Sequence, residues 1–138
     1  MAAAITPSGL DHVVLRITDL ERSLAFYCEV LGCTLARRRD ELGLYHLQAG
    51  RSMIDLLPVD GELGRRGGPA PAATGRNMDH LCLRVEPFDV EAIRAHLARH
   101  GIDPGEVAER FGAEGTGPSL YLNDPDGNVV EIKGPASG

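Results

Sequence analysis

Four residues of this chain are of types that hold divalent metal ions, and they come as two similar pairs: His12 with Asp55, and His80 with Glu131. Each histidine opens a run of alternating apolar residues, Asp-His-Val-Val-Leu-Arg-Ile from Asp11 and Asp-His-Leu-Cys-Leu-Arg-Val from Asp79. Each acid lies inside a short apolar run, Met53-Ile54-Asp55-Leu56 and Val129-Val130-Glu131-Ile132. A carboxylate buried in such a run without a partner is costly, so it calls for a cation. Two imidazoles with one or two carboxylates suit Zn, Ni, Mn or Fe(II). Such a set leaves coordination positions open for a substrate, which catalysis needs and a structural metal does not. The competing reading makes Asp55 and Glu131 the buried ion-pair partners of Arg16 and Arg84. Cys82 shares the His80 face as a soft competitor, but it has no partner cysteine for a zinc thiolate site.

The pairs belong to an internal duplication. An Arg follows each histidine at the same interval (Arg16, Arg84), and a Tyr precedes each acid at the same interval (Tyr45, Tyr121). Each copy reads as strand, helix and three strands. In the first, residues 11–17 alternate, with Val13, Leu15 and Ile17 on one face and His12 and Arg16 on the other. Thr18 and Glu21 stand at capping-box spacing. Leu20, Leu24, Tyr27 and Leu31 make an apolar stripe that Gly32 ends. In the second copy, residues 79–85 form the strand, and Val90, Ile93 and Leu97 face one side of a helix ending at Gly101. Asp124-Pro125-Asp126-Gly127 is a turn between strands at 119–123 and 128–133. The Gly/Pro/Ala-rich stretch 61–75 is a loop, either a linker or a flap over a site.

The expected fold is therefore α+β, one domain over residues 1–138. It is built from two paired βαβββ modules, 9–60 and 78–134, joined by a linker at 61–77. In each module the acids and histidines project from the sheet face away from the helices. If first and last strands are neighbours, each module offers one His and one carboxylate side by side, and a pseudo-twofold pairing joins them into one metal site.

Composition narrows the function classes. With 43% hydrophobic and 25% charged residues the chain is globular. A net charge of −6 argues against nucleic acid as a partner, and no apolar run approaches the roughly 20 residues that span a bilayer. The start, MAAAI, has no basic region and no long apolar core like an export signal. Three cysteines with no C-x-x-C pair fit reduced thiols. The expected compartment is cytoplasmic and the expected partner a small-molecule substrate.

The run Leu-Asp-His-Val-Val-Leu-Arg-Ile-Thr-Asp-Leu-Glu-Arg-Ser-Leu-Ala-Phe-Tyr-Cys-Glu-Val-Leu-Gly resembles the first module of the vicinal oxygen chelate superfamily. Met-Asp-His-Leu-Cys-Leu-Arg-Val with Tyr-Leu-Asn-Asp-Pro-Asp-Gly-Asn-Val-Val-Glu-Ile resembles its second module. The resemblance implies the glyoxalase/bleomycin resistance/dioxygenase fold, with curved mixed sheets enclosing one divalent ion. His12, His80 and Glu131 fall on its metal positions, and Asp55 falls where bacterial glyoxalase I has a Glu ligand. It also implies a homodimer whose sites take one module from each chain. The implied chemistry is that of a glyoxalase I-like lyase or isomerase whose substrate chelates through vicinal oxygens. Glu131 is then the candidate base and Asp55 a second catalytic carboxylate. Arg16 matches the residue that anchors glutathione, the candidate cosubstrate, and Arg16 and Tyr121 are the candidate substrate-binding residues. Pro118 replaces the phosphonate-binding Arg of the fosfomycin-resistance branch. Two alternatives are an extradiol-type Fe(II) dioxygenase, for which His46 is the only candidate extra acid-base group on the first module's strands, and a metal-free, drug-sequestering module.

Overall fold

A computed structural model describes residues 4–74, 76 and 78–137; positions 75 and 77 of the expected linker, with 1–3 and 138 of the expected domain, lie outside the described residues. The chain forms two four-stranded mixed sheets of the same plan. The first holds β1 (His12–Ile17), β2 (Thr34–Arg39), β3 (Leu44–Ala49) and β4 (Ser52–Pro58) in the order β1-β4-β3-β2. The second holds β5 (Leu81–Arg84), β6 (Ala108–Gly112), β7 (Gly115–Asn123) and β8 (Val129–Lys133) in the order β5-β8-β7-β6. In both sheets the first strand runs parallel to the last, and the other pairs are antiparallel. The neighbour relation on which the site depends is thus present twice. Among the described residues no helix is long and apolar enough to cross a membrane.

The helical crossovers follow their sequence signals with one correction. Helix α1 (Leu20–Leu24) runs directly into a π-helical turn, Ala25–Val30. Its cap is Asp19, whose carboxylate accepts from the Arg22 backbone N–H at 3.1 Å. The expected Thr18 cap is diverted, because its hydroxyl donates to Asp126 at 2.5 Å in the second module. The wider π turn brings Phe26 and Tyr27 inward together, at 5% and 0% exposure. Helix α2 (Val90–Arg99) is capped by Asp89. Gly32 and Gly101 end the two helical segments at φ of 79° and 70°, as left-handed stops require. His96 on α2 is half-buried and lies 2.8 Å from the Val30 carbonyl.

The turn at residues 124–127 does more than reverse the chain. Buried Asp124 accepts from the backbone N–H groups of Asp126 and Asn128, from the Asn128 amide, and from the Tyr27 hydroxyl at 2.6 Å. Burial, with Asp124 alongside, raises the Tyr27 phenol far above its ordinary pKa. Tyr27→Phe keeps the ring and removes this inter-module bond to a charged acceptor. It should lower stability by about 1–3 kcal/mol in a denaturant titration, with the slope unchanged.

Register also corrects one equivalence. Glu131 stands opposite Tyr121, but Asp55 stands opposite His46, not Tyr45. Tyr45 points to the other face, is buried, and donates to Asp40 at 2.8 Å. The turn between β3 and β4 is shorter than that between β7 and β8, so equal sequence intervals reach different faces.

Candidate metal centre

Each sheet presents a half-site built the same way. In the first, Asp55 is 5% exposed, sits on β4 beside β1, and shares a face with His12 and Val14. His12 Nε2 is 4.0 Å from Asp55 Oδ2. In the second, Glu131 is also 5% exposed, sits on β8 beside Cys82, and has His80 Nε2 at 3.1 Å from its Oε1. Donor atoms bound to one ion at about 2.1 Å stand about 3–4 Å apart, so both pairs fit a shared cation.

The repeated Asp-His doublet has a structural reason. His12 Nδ1 is 2.7 Å from the Asp11 carboxylate, and His80 Nδ1 is 2.7 Å from that of Asp79. In each ring the Nδ1–H donates to the preceding acid, which turns Nε2 toward the sheet carboxylate and makes it the more basic donor. Asp11 holds the His12 imidazolium and raises its pKa above 6.5, against the opposing effect of desolvation. Sequence reasoning read these aspartates only as part of a repeat; their adjacency to a histidine was the available signal.

The ion-pair alternative does not hold. Arg16 donates through Nε to the Gly64 carbonyl at 2.9 Å, and through its two Nη atoms to Gly68 at 2.5 Å and Pro69 at 3.1 Å. Its whole fork clasps the linker, which passes so close that a Cβ on Gly67 would fall 2.6 Å from the Arg16 guanidinium. Arg84 pairs with Glu114 at 2.7 Å. Asp55 and Glu131 are left with imidazoles as partners and no Arg or Lys within ion-pair distance among the described residues.

A second ring completes each half-site. His46 Nδ1 is 2.9 Å from Asp55 Oδ1, which leaves Oδ2 toward His12. At the matching position, Tyr121 packs edge-on against His80 with centroids 5.3 Å apart. Burial and the nearby Glu131 raise the Tyr121 phenol above 10. The Cys82 residue is exposed as a whole, but desolvation of its sulfur and the adjacent Glu131 push the thiol up to about 11, so it stays neutral near pH 7. Beside the first half-site a cleft of about 480 Å³ opens between β1, the linker and the β7–β8 turn, with Val14, Arg16, Pro69 and Asn128 on its walls. Among the described residues, no three His, Cys, Asp or Glu side chains of the one chain close into a metal-holding group.

Residues 9–132 match the family model for the Glyoxalase/Bleomycin resistance protein/Dioxygenase superfamily. The chain belongs to this superfamily. A relative named as a probable lactoylglutathione lyase, from Synechocystis sp., is 29% identical over 129 residues, which cover 89% of this chain and 92% of the relative. The virulence protein STM3117 of Salmonella typhimurium has a crystal structure that superposes with a TM-score of 0.77 at 26% identity, over 96% of this chain and all of that one. A catechol-2,3-dioxygenase of Bacillus subtilis is 27% identical over 124 residues, 89% of this chain but only 40% of that enzyme. Superfamily membership accounts for the paired modules and for glyoxalase-like and dioxygenase relatives. Identity near 29% leaves the reaction to be argued from the site itself.

Proposed function

We propose that this superfamily member is a metal-dependent enzyme, a glyoxalase I-like lyase or isomerase for a small substrate that presents two adjacent oxygens. The observation that carries the reading is the pair of matched half-sites, each with an imidazole Nε2 facing a buried carboxylate that has no Arg or Lys partner. His12, His80, Glu131 and Asp55 would hold the ion, and homodimerisation would bring His12 and Asp55 of one chain to His80 and Glu131 of the other. A divalent ion bound there supplies Lewis-acid stabilisation of the negative charge that develops on the substrate oxygens.

The chain's own residues then divide the work. Asp11 and Asp79 fix the two imidazoles, so that little reorganisation is needed when substrate arrives. Glu131 takes the proton from the carbon next to the carbonyl, and the electron pair left behind moves toward the carbonyl oxygen. The same carboxyl returns that proton to the former carbonyl carbon while the hydroxyl proton of the substrate passes to the former carbonyl oxygen, so the net change is an internal redox isomerisation. Glu131 suits this role because its longer side chain has more reach than that of Asp55. Asp55, oriented by His46, acts as the steadier ligand. If glutathione is the cosubstrate, its hemithioacetal with an α-oxoaldehyde is the isomerised species. Arg16 would then have to leave the linker carbonyls to meet a glutathione carboxylate.

His46 supports a second reading. It stands on the site face against Asp55, where an extradiol-type Fe(II) dioxygenase would use an acid-base imidazole. The two readings separate on a substrate panel of methylglyoxal hemithioacetal with Ni or Zn, and a catechol with Fe(II) and oxygen. We expect isomerisation of the hemithioacetal that Glu131→Gln removes. Ring cleavage of the catechol, lost in His46→Gln, would replace that reading. No turnover of either, with tight binding of a bulky ligand by metal-free protein, would favour the sequestering module.

A further inference from the structure

The next side chain after Glu131 on the same face of β8 is Lys133, about 7 Å along the strand and as buried as Glu131, at 5% exposure. Arg84 and Ser119 stand opposite it on the neighbouring strands. Its stem runs against the β6–β7 hairpin, where a Cβ on Gly112 would fall 3.0 Å from Lys133 Cε. Nζ donates to the Gly115 carbonyl at 2.9 Å. A buried ammonium has three donors and a large desolvation cost, and one neutral carbonyl does little to offset it. A lysine kept only for its stem would send its head to water.

The neighbouring cations sharpen the imbalance. Arg84 is neutralised by Glu114. Arg110 is not: it donates to the carbonyl and hydroxyl of buried Ser119 at 2.7 and 2.9 Å and lies 4.6 Å over the Tyr121 ring. Among the described residues, neither Lys133 nor Arg110 has a carboxylate within ion-pair distance. On a chain of net charge −6, the sheet face that carries Glu131 therefore holds two cations without an anion of their own.

We propose that the substrate carries a carboxylate and that Lys133, assisted by Arg110, binds it. This rests on the chelating reading of the site and adds a substrate class to it: an acid whose chelating oxygens and carboxylate lie on the order of 5–8 Å apart, the span of one side-chain repeat on a strand. Either a free small acid or the carboxylate of a glutathione adduct supplies that chemistry.

Calorimetric titration of the zinc-loaded protein tests it with four probes: pentanohydroxamate, glutarate monohydroxamate, a glutathione-borne hydroxamate, and glutarate alone. The first two differ only in a terminal carboxylate. We expect at least one carboxylate-bearing hydroxamate to bind about tenfold or more tighter than pentanohydroxamate, and which one does so identifies the source. Lys133→Met should erase the advantage and Lys133→Arg should restore part of it. Pentanohydroxamate, with no carboxylate, checks that each variant is folded and its chelating end intact; Arg110→Gln, with a smaller loss, replaces Lys133→Met if that variant does not fold. Equal affinity for all the hydroxamates in the wild type, or an advantage that survives Lys133→Met, overturns the proposal. If no hydroxamate binds, the chelating reading fails instead. Glutarate then reports on the subsite alone: Lys133-dependent binding retains it and no binding removes it.

Discussion

Glu131→Gln should reduce turnover of the preferred substrate by about 10²–10⁴-fold, the usual worth of a positioned general base. The substitution keeps the shape of the side chain and an oxygen donor but removes the charge and the basicity. Its size also separates two roles. A residue that only ligates metal would show its loss as weaker metal binding, recoverable by adding metal. A base would show it in kcat even when the protein is saturated with metal and substrate. Glu131→Gln should show both, with the kcat loss persisting at saturation. Restoration of full turnover by excess metal would reduce Glu131 to a ligand. Tyr121 and Cys82, the neighbours of Glu131, are both held neutral near pH 7, so neither supplies a ready substitute base.

The second large effect concerns where the site is assembled. His12→Ala and His80→Ala should each be inactive alone. If each site takes one module from each chain, mixing the two variants under conditions that exchange subunits should restore activity. A mixed dimer then holds one site built from two damaged modules and one built from two intact modules, so random exchange recovers about a quarter of wild-type sites. Sites contained within single chains would give no recovery at any mixing ratio. The expectation draws on the geometry: each sheet carries one His-carboxylate pair, and the pairs of a single chain do not come together among the described residues.

Much of this arrangement was legible in the residues. Alternation assigned His12, His80, Asp55 and Glu131 to the faces they occupy, because a strand's two-residue period leaves no freedom once Leu15, Ile17, Ile54 and Ile132 must be buried. That β1 neighbours β4 and β5 neighbours β8 was only the condition under which each His meets its acid; the sheets meet it, with both pairs parallel. What was not legible depended on partners far away in sequence. Thr18 has the type and spacing of a helix cap, but Asp126 takes its hydroxyl, and Asp19 caps in its place. Arg16 reads as a ligand for a substrate carboxylate, yet its fork is filled by carbonyls of a linker whose path no periodicity specifies. Tyr45 imitates Tyr121 by interval, while register makes His46 the true counterpart, because the two hairpins turn over different lengths. Lys133 drew no notice, since a lysine at a strand end normally reaches solvent, and only its burial reveals that it does not.

A metal held by His12, His80 and Glu131 with Asp55 should be visible to elemental analysis of the purified protein and two variants. The wild type should carry about one divalent ion per chain. His12→Ala and His80→Ala should each lose it, with affinity weakened by at least about 100-fold. Full metal retention in both variants would contradict the site.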